Sequence, residues 1–242
     1  MHELKKEIIE ELFVEQMRDL TFKTNKALRS IDMQFSDIVI WFFSLYFFNT
    51  NYKKPHSFLY MVELVTQTDF LEKEIYLDRV RNGDVFIYPT DTIYGIGCNA
   101  LIEGSVEKIR KIKKRDTNPF SVIAPSKDWI IENCSVENLD KLPGKYTLIL
   151  KIKRDCVVKG VNPELDTLGV RIPDHWISKF ANRLGLPIIT TSVNQAGEKY
   201  MTSLNDLDKE IKNEVDFMVD TGVLNEGPSQ IIDTTKKTVI ER

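Results

Sequence analysis

A short segment of this 242-residue chain combines hydrogen-bonding side chains with two glycines. Residues 85–88 form an apolar, β-favouring run, and Pro89 follows at the point where a strand can lose a backbone donor. Gly95 and Gly97 let a ligand approach the backbone closely. Between Pro89 and Gly95 lie four residues whose side chains can hydrogen-bond, Thr90, Asp91, Thr92 and Tyr94. The pattern predicts a strand that ends in a ligand-binding loop, with an ordinary polar turn as the alternative.

A second segment concentrates positive charge. Val106, Ile109 and Ile112 recur at helical spacing, and six of the eight residues from 108 to 115 are Lys or Arg. Asn118-Pro119 interrupts the pattern, so we expect the helix to end early enough to place Lys113 and Arg115 in a loop. Two cations in a loop can bind an anion, and a phosphate is the guest we expect. A solvated helix face is the alternative.

Composition limits the classes of protein that this chain could belong to. The net charge of -3 argues against a generic polyanion binder, and the 42% hydrophobic fraction can supply a substantial core. The three cysteines and three histidines are scattered without metal-ligand spacing, so we predict reduced, buried cysteines and no structural zinc site. P-loop, dinucleotide-binding and nucleophile-elbow motifs do not occur in the sequence.

The remaining pattern alternates between strands and helices. Helices are predicted over residues 71–82, 174–184 and near 203–213. Strands are predicted over residues 147–152, 168–172, 187–191, 217–219, 230–233 and 238–240. This alternation indicates a mixed α/β sheet with ligand groups at the ends of strands.

Three motifs occur in a fixed order along the chain. Residues 89–97 read PTDTIYGIG, residues 113–115 form a K-x-R pair, and residues 192–194 form S-x-N. Residues 143–147 and 168–173 add a PGPxT-like turn and an xxVRxP-like strand. This ordered set resembles the YrdC/Sua5 family of threonylcarbamoyl-AMP synthases, over residues 61–242, and it is more specific than any single motif.

The resemblance implies a fold and a reaction. The implied fold class is α/β (α+β), with a YrdC-like open twisted mixed sheet, flanking helices and a concave ligand groove. The implied activity is that of an L-threonylcarbamoyladenylate synthase, a cytoplasmic nucleotidyltransferase in tRNA processing. It condenses L-threonine, bicarbonate and ATP, with Mg²⁺, to threonylcarbamoyl-AMP and pyrophosphate for the t6A modification of tRNA position 37. The chain resembles the short, single-domain type, which depends on a separate tRNA threonylcarbamoyltransferase.

The resemblance also assigns roles to residues, none of them metal ligands. It implies catalytic roles for Lys113 and Arg115. The residues it implies for L-threonine are Thr92, Tyr94, Arg171 and Ser229, with Arg171 as the fork for the carboxylate. The residues it implies for ATP are Arg115, Asn118, Thr167, Ser192, Asn194 and Arg242. Asp116 stands where the family usually has a proline after the K-x-R pair.

The first sixty residues do not fit the family, so we divide the chain into an extension, 1–60, and a catalytic domain, 61–242. Leu4, Ile8 and Leu12 form an amphipathic helical stripe. Residues 38–48 are apolar and uncharged, but a membrane span needs about 20 such residues. The extension is therefore a helical hairpin packed on the core, an interfacial or partner-binding segment, or a non-native addition from an upstream start codon.

Two other functions remain open from the sequence. A YrdC-like module that binds double-stranded RNA or tRNA without synthase activity would use the same basic residues, and weak RNA binding is also compatible with the synthase. A carbamoyl-transfer domain of the hydrogenase-maturation type would share the nucleotide site. The sequence lacks the acylphosphatase-like and zinc-finger segments of that type, which counts against it.

Overall fold

The computed structural model describes residues 62–115, 117–195 and 197–240. The helices are α1 (Gln67–Glu72), α2 (Glu74–Arg81), α3 (Glu103–Ile112), α4 (Lys127–Asn133), α5 (Trp176–Leu184) and α6 (Lys209–Glu214). The strands are β1 (Glu63–Val65), β2 (Phe86–Tyr88), β3 (Gly95–Gly97), β4 (Ser121–Ile123), β5 (Tyr146–Lys151), β6 (Thr167–Arg171), β7 (Ile188–Ser192), β8 (Phe217–Val219), β9 (Gln230–Asp233) and β10 (Thr238–Ile240).

The strands form a single mixed sheet in the order β1-β8-β2-β3-β7-β4-β6-β5-β9-β10. The pairs β1–β8, β2–β8, β4–β6 and β5–β9 are parallel, and the remaining neighbours are antiparallel. This mixed sheet with flanking helices confirms the predicted fold class. The predicted N-terminal helical extension lies outside the described residues.

Each face of the sheet carries its own hydrophobic core because strand side chains alternate between faces. One core joins alternate strand residues such as Ile87 and Val122 to apolar residues of α3, α4 and α6, namely Val106, Ile109, Ile130 and Ile211. The other core joins their strand neighbours Phe86 and Ile123 to residues of α1, α2 and α5, namely Phe70, Leu77 and Phe180. The helices therefore cover both sides of the sheet.

The second of these faces changes from apolar to polar along β7. Ile188 belongs to the core beneath α5, and its same-face neighbours on β7 are Thr190 and Ser192. In the ladder, Ser192 pairs with Gly95 and Thr190 pairs with Ser121. A Cβ on Gly169, which pairs with Ser121, would come within 2.4 Å of the Ser121 Oγ. Small and hydroxyl-bearing residues thus leave room on this face for a ligand.

Local capping explains where the predicted elements differ from the observed ones. Strands 217–219, 230–233 and 238–240 are found as predicted. The predicted helix 71–82 is wrong in its start and continuity, because Lys73 adopts an extended conformation between α1 and α2. The predicted helix near 203–213 is a 3-10 turn followed by α6, which starts where the Asp208 side chain accepts bonds from the Glu210 and Ile211 amides.

Across residues 62–115, 117–195 and 197–240, none of the helices is long and apolar enough to cross a membrane.

Candidate active site

A cavity of about 290 Å³ lies among the loops and strand ends around β2, β3, β4, β5, β6, β7 and β9. Most of the residues that line it present polar groups. Two guanidinium side chains, those of Arg115 and Arg171, contribute to its wall. Eight residues with a serine or threonine hydroxyl contribute as well, Thr90, Thr92, Ser121, Thr147, Thr190, Thr191, Ser192 and Ser229. Such a lining suits a small polar or anionic ligand.

Arg171 forms a buried ion pair at this cavity. Its Nη2 donates to the Asp91 Oδ1 at 2.6 Å, and the Asp91 Oδ2 accepts the Asp174 amide at 3.0 Å. The two side chains are only 7% and 6% exposed. Burial lowers the pKa of Arg171, and the Asp91 charge opposes that shift. Asp91 therefore fixes the guanidinium in place.

One nitrogen of this guanidinium has no hydrogen-bond partner within the described ranges. It is the Arg171 Nε, which is buried. An unsatisfied buried donor is costly, and a bound ligand can remove that cost. Since Arg171 lines the cavity and its guanidinium is not fully hydrogen-bonded, this side chain is suited to bind a carboxylate of a ligand.

The Thr90 and Thr92 hydroxyls form an ordered chain next to Arg171. The Thr90 hydroxyl donates to the Ile93 carbonyl at 2.7 Å, so its only proton is committed. The Thr92 hydroxyl, 2.8 Å away, must then donate to Thr90. The Thr92 hydroxyl oxygen also accepts a bond from the Arg171 Nη2 at 3.5 Å. The loop that the sequence predicts after β2 is thus a preorganised part of the cavity wall.

Lys113 binds a loop, and it is not among the residues that line the cavity. Its Nζ donates to the Ser192 carbonyl at 2.6 Å, the Asn194 carbonyl at 2.7 Å and the Asn194 Oδ1 at 3.1 Å. These three bonds use all three protons of the ammonium group. Burial, and secondarily the charge of Arg115, lowers the pKa of Lys113 to about 7. Lys113 therefore holds the loop that presents Ser192 to the cavity.

Arg115 reaches the cavity through a tight turn after α3. The helix ends at Ile112, and Lys114 adopts a left-handed conformation with φ of 49° that redirects the chain. The Arg115 Nη2 donates to the Pro119 carbonyl at 2.9 Å, and its guanidinium lies 5.3 Å from the centre of the Phe120 ring. The predicted loop position of Lys113 and Arg115, after the helix end, is confirmed.

Arg110, on α3, stabilises this turn. Its Nε donates to the Gly160 carbonyl at 2.8 Å, and its Nη1 donates to the Arg115 and Asn118 carbonyls at 3.2 Å each. Its guanidinium also lies 4.6 Å from the Phe120 ring centre. The sequence pattern alone assigns Arg110 only to the cationic run of residues 108–115. Its position one helical turn before the K-x-R pair is the signal that could have indicated a further role.

The hydroxyl of Tyr94 is engaged with a distant part of the chain. It lies 2.9 Å from the Asp220 Oδ1 and 2.8 Å from the Gly222 carbonyl, and it accepts the Thr221 amide at 3.1 Å. Burial is the main cause of a raised pKa at Tyr94. Farther along, the hydroxyls of Ser229 and Thr147 lie 2.9 Å apart, and both side chains are buried.

The cavity brings together most of the residues assigned from the sequence, Thr92, Tyr94, Arg115, Arg171, Ser192 and Ser229. Asn194 contacts it indirectly, because the Ser192 Oγ donates to the Asn194 Oδ1 at 2.6 Å. Asn118 is exposed outside the cavity lining. Thr167 lies four residues before Arg171 on β6, about 13 Å along the strand, and does not line the cavity. Arg242 lies outside the described residues. The substrate roles of all these residues stay predictions.

Several cavity residues received no role from the sequence. Ser121 and Thr190 lie directly opposite each other in the β4–β7 ladder, and Thr147 pairs with Ser229 through its hydroxyl. The run of three hydroxyl residues at 190–192, directly after Ile188 and Ile189 of the same strand, was the available signal. The partner of Arg171 was also missed. Asp91 carries no signal for a contact with a residue 80 positions away.

A domain model and several sequence relatives match this chain. A domain model named for Sua5, YciO and YrdC, and described as "Telomere recombination", matches residues 78–242. A "Putative threonylcarbamoyl-AMP synthase" of Methanocaldococcus jannaschii is 38% identical over 164 residues, which are 64% of this chain and 73% of the relative. A "Threonylcarbamoyl-AMP synthase" of Xanthomonas axonopodis pv. citri is 30% identical over 186 residues, covering 72% of this chain and 98% of the relative.

The solved structure of P. abyssi Sua5 in complex with L-threonine resembles the fold. It aligns with a TM-score of 0.64 and 26% identity, over 74% of this chain and 55% of the Sua5 chain. This chain therefore spans about half the length of that protein. The sequence match, the relatives and the fold agree with the resemblance found in the motifs. The chain belongs to the Sua5/YciO/YrdC family.

Proposed function

We propose that this protein is an L-threonylcarbamoyl-AMP synthase. In the proposed reaction the threonine amine takes up carbon dioxide, derived from bicarbonate, to form a carbamate. A carbamate oxygen then attacks the α-phosphorus of ATP, a new P–O bond forms, and the bond to the leaving pyrophosphate breaks. No covalent enzyme intermediate is required, so the protein's task is to position the reactants and stabilise charge.

The observation that carries the proposal is the state of Arg171. Its guanidinium is buried, is held on one side by Asp91 and has an unsatisfied Nε, and the residue lines a cavity of about 290 Å³. A guanidinium in this state favours a carboxylate, which can accept two of its N–H groups. The hydroxyls of Thr92, Thr147 and Ser229 line the same cavity and are candidates for the remaining polar groups of a bound threonine.

The second charged residue of the cavity suits the nucleotide. Arg115 lines the cavity and is held between the Pro119 carbonyl and the Phe120 ring, so its charge is fixed in direction. We assign it to the phosphates of ATP and the departing pyrophosphate. Lys113 would act by orienting Ser192 and Asn194, whose positions the resemblance links to the nucleotide.

Magnesium enters this proposal with ATP, as part of the substrate. Over the described residues, no group of three His, Cys, Asp or Glu side chains could hold a metal ion. Asp91, the carboxylate nearest to Arg171, already accepts bonds from that arginine and from the Asp174 amide. Mg²⁺ is commonly bound by substrate phosphates and water, and no step here depends on a protein ligand for it.

The direct test measures product formation by the full chain. Purified protein is incubated with ATP, Mg²⁺ and bicarbonate, with and without L-threonine, while pyrophosphate release and the mass of threonylcarbamoyl-AMP are recorded. We expect product only with threonine, and a large loss in Arg171→Lys, since a lysine ammonium lacks the planar fork that binds a carboxylate through two parallel N–H groups. If the folded wild-type protein forms no product in the presence of threonine, the proposal is contradicted.

The product would be consumed by a separate tRNA threonylcarbamoyltransferase in the cytoplasm, for t6A modification. The RNA-binding alternative gains no support from the basic residues 108–115, since Lys108 pairs with Asp216 and Lys114 pairs with Glu210. Ion pairs of this kind lower the positive charge that is available to a phosphate backbone. Weak binding of tRNA by the synthase is compatible with the same surface.

A further inference from the structure

Residues 220–229, here called the strap, join two strands that lie far apart in the sheet. β8 is second and β9 is ninth in the strand order, so six strands separate them. Seven strand spacings of about 4.8 Å amount to about 34 Å along the sheet. The eleven residue steps from Val219 to Gln230 reach about 36–40 Å when fully extended. The strap therefore has little slack.

The strap is held at both ends. At its start, the Tyr94 hydroxyl contacts Asp220, Thr221 and Gly222. Near its middle, the Leu224 amide donates to the Thr202 carbonyl at 2.9 Å. At its end, Pro228 and Ser229 line the cavity, where Ser229 pairs with Thr147. Tyr94 thus contacts one end of the strap, and the other end of the strap lines the ligand cavity.

We infer that Tyr94 is a positioning residue for the threonine side of the cavity, and that it acts through the strap. Its hydroxyl anchors the strap at residues 220–222, and the short span then holds Pro228 and Ser229 against the cavity. This inference rests on the proposed function, because it identifies the ligand on that side as threonine. Release of the anchor would add slack and let Ser229 move.

A direct contact between the Tyr94 hydroxyl and threonine is the competing explanation. The hydroxyl has one proton, and two acceptors of the strap, Asp220 Oδ1 and Gly222 O, already lie within 2.9 Å of the oxygen. The Thr221 amide occupies a lone pair of the same oxygen. The proton of the hydroxyl and one of its lone pairs are therefore engaged by the strap, which favours an effect through residues 220–229 over direct contact.

The first test removes this hydroxyl with Tyr94→Phe. The matched control is Tyr76→Phe, since Tyr76 is also buried and also donates to a carboxylate, that of Glu63, at 2.9 Å. We expect Tyr94→Phe to raise the KM for threonine about tenfold, the usual weight of a hydrogen bond to a charged group, with the KM for ATP within twofold. Amide hydrogen exchange over residues 221–229 should become faster in Tyr94→Phe and stay unchanged in Tyr76→Phe.

The second test lengthens the strap and leaves Tyr94 intact. Two glycines inserted after Asn225 add about 7 Å of reach, and the control inserts them after Lys236, in the exposed turn between β9 and β10. We expect the strap insertion to raise the KM for threonine as Tyr94→Phe does. An unchanged KM in the lengthened strap would overturn the inference, because direct contact by Tyr94 would then explain its effect.

These readouts separate the inference from the proposed function. Wild-type protein that makes no threonine-dependent product contradicts the proposed function, whatever the strap does. Active wild-type protein with unchanged hydrogen exchange or unchanged threonine KM in Tyr94→Phe overturns the inference alone. Faster exchange together with a threonine-specific rise in KM supports it.

Discussion

Two buried cations near the cavity are held in contrasting ways. Arg171 is 6% exposed and faces a carboxylate, that of Asp91, at 2.6 Å. Lys113 is 3% exposed and donates to three uncharged oxygens of Ser192 and Asn194. The first cation is compensated by an opposite charge, whereas the second is solvated only by dipoles.

The difference separates a fixed charge from a titratable one. Burial lowers the pKa of Arg171, but Asp91 opposes the shift and a guanidinium is strongly basic, so Arg171 stays protonated near neutral pH. Burial and the charge of Arg115 lower the pKa of Lys113 to about 7. The threonine side of the proposed site therefore has a permanent charge, and the loop on the nucleotide side depends on a cation that can lose its proton.

The largest expected effect comes from breaking the compensated pair with Asp91→Asn. Removal of one partner leaves the Arg171 charge buried without compensation, which costs about 3–5 kcal/mol in the free energy of unfolding. The control is Asp78→Asn, whose Arg81 partner is half exposed, and there the cost should stay below about 1 kcal/mol. Urea denaturation of both variants measures the difference. If Asp91→Asn and Asp78→Asn lose the same free energy of unfolding, the Arg171 charge does not depend on Asp91 for its stability.

The next effect comes from removing the uncompensated cation with Lys113→Met, which keeps an unbranched side chain of similar length. The variant loses three hydrogen bonds to the Ser192 and Asn194 loop, so we expect kcat/KM for ATP to fall by roughly 30- to 1000-fold. Lys111→Met, on the exposed face of α3, serves as the control. A retained circular dichroism spectrum shows that the fold is intact. If kcat/KM for ATP in Lys113→Met equals that in Lys111→Met, a role for Lys113 on the nucleotide side is excluded.

The smallest effect is the pH dependence that the comparison predicts. The pKa of Lys113 lies near 7 in the folded chain and at its ordinary value of about 10.4 in the unfolded chain. Between these values the unfolded chain binds the extra proton, so the free energy of unfolding rises with pH. From pH 7.5 to 9.0 we expect wild type to gain about 1 to 2 kcal/mol more than Lys113→Met. Parallel curves for the two proteins would mean that Lys113 keeps its proton.

The sequence predicted features that depend on neighbouring residues. Strands 217–219, 230–233 and 238–240 follow from local apolar, β-favouring runs. The end of α3 before Lys113 follows from the Asn118-Pro119 interruption, and the helix stop at Gly185 follows from its left-handed φ of 72°. The motifs were sufficient to identify the family, because each motif is a short run of residues and their order can be read directly from the sequence.

Pairings between distant residues could not be predicted in the same way. Asp91 meets Arg171, Tyr94 meets Asp220 and Lys113 meets Asn194 across separations of 80 or more residues. No periodicity encodes such contacts, since they depend on strand order and register. The break between α1 and α2 at Lys73 was also missed, because its extended conformation is not signalled by a proline or glycine.

The sequence by itself determined most of the strands, the cationic loop and the family, since each rests on residue types at short spacing. Only the tertiary structure decided which cation is compensated, which is titratable and which hydroxyl anchors the strap. The physical reason is that burial and partner choice set the energy of a charge or a hydrogen bond. Both are properties of the folded sheet, which brings distant strands and loops to one cavity.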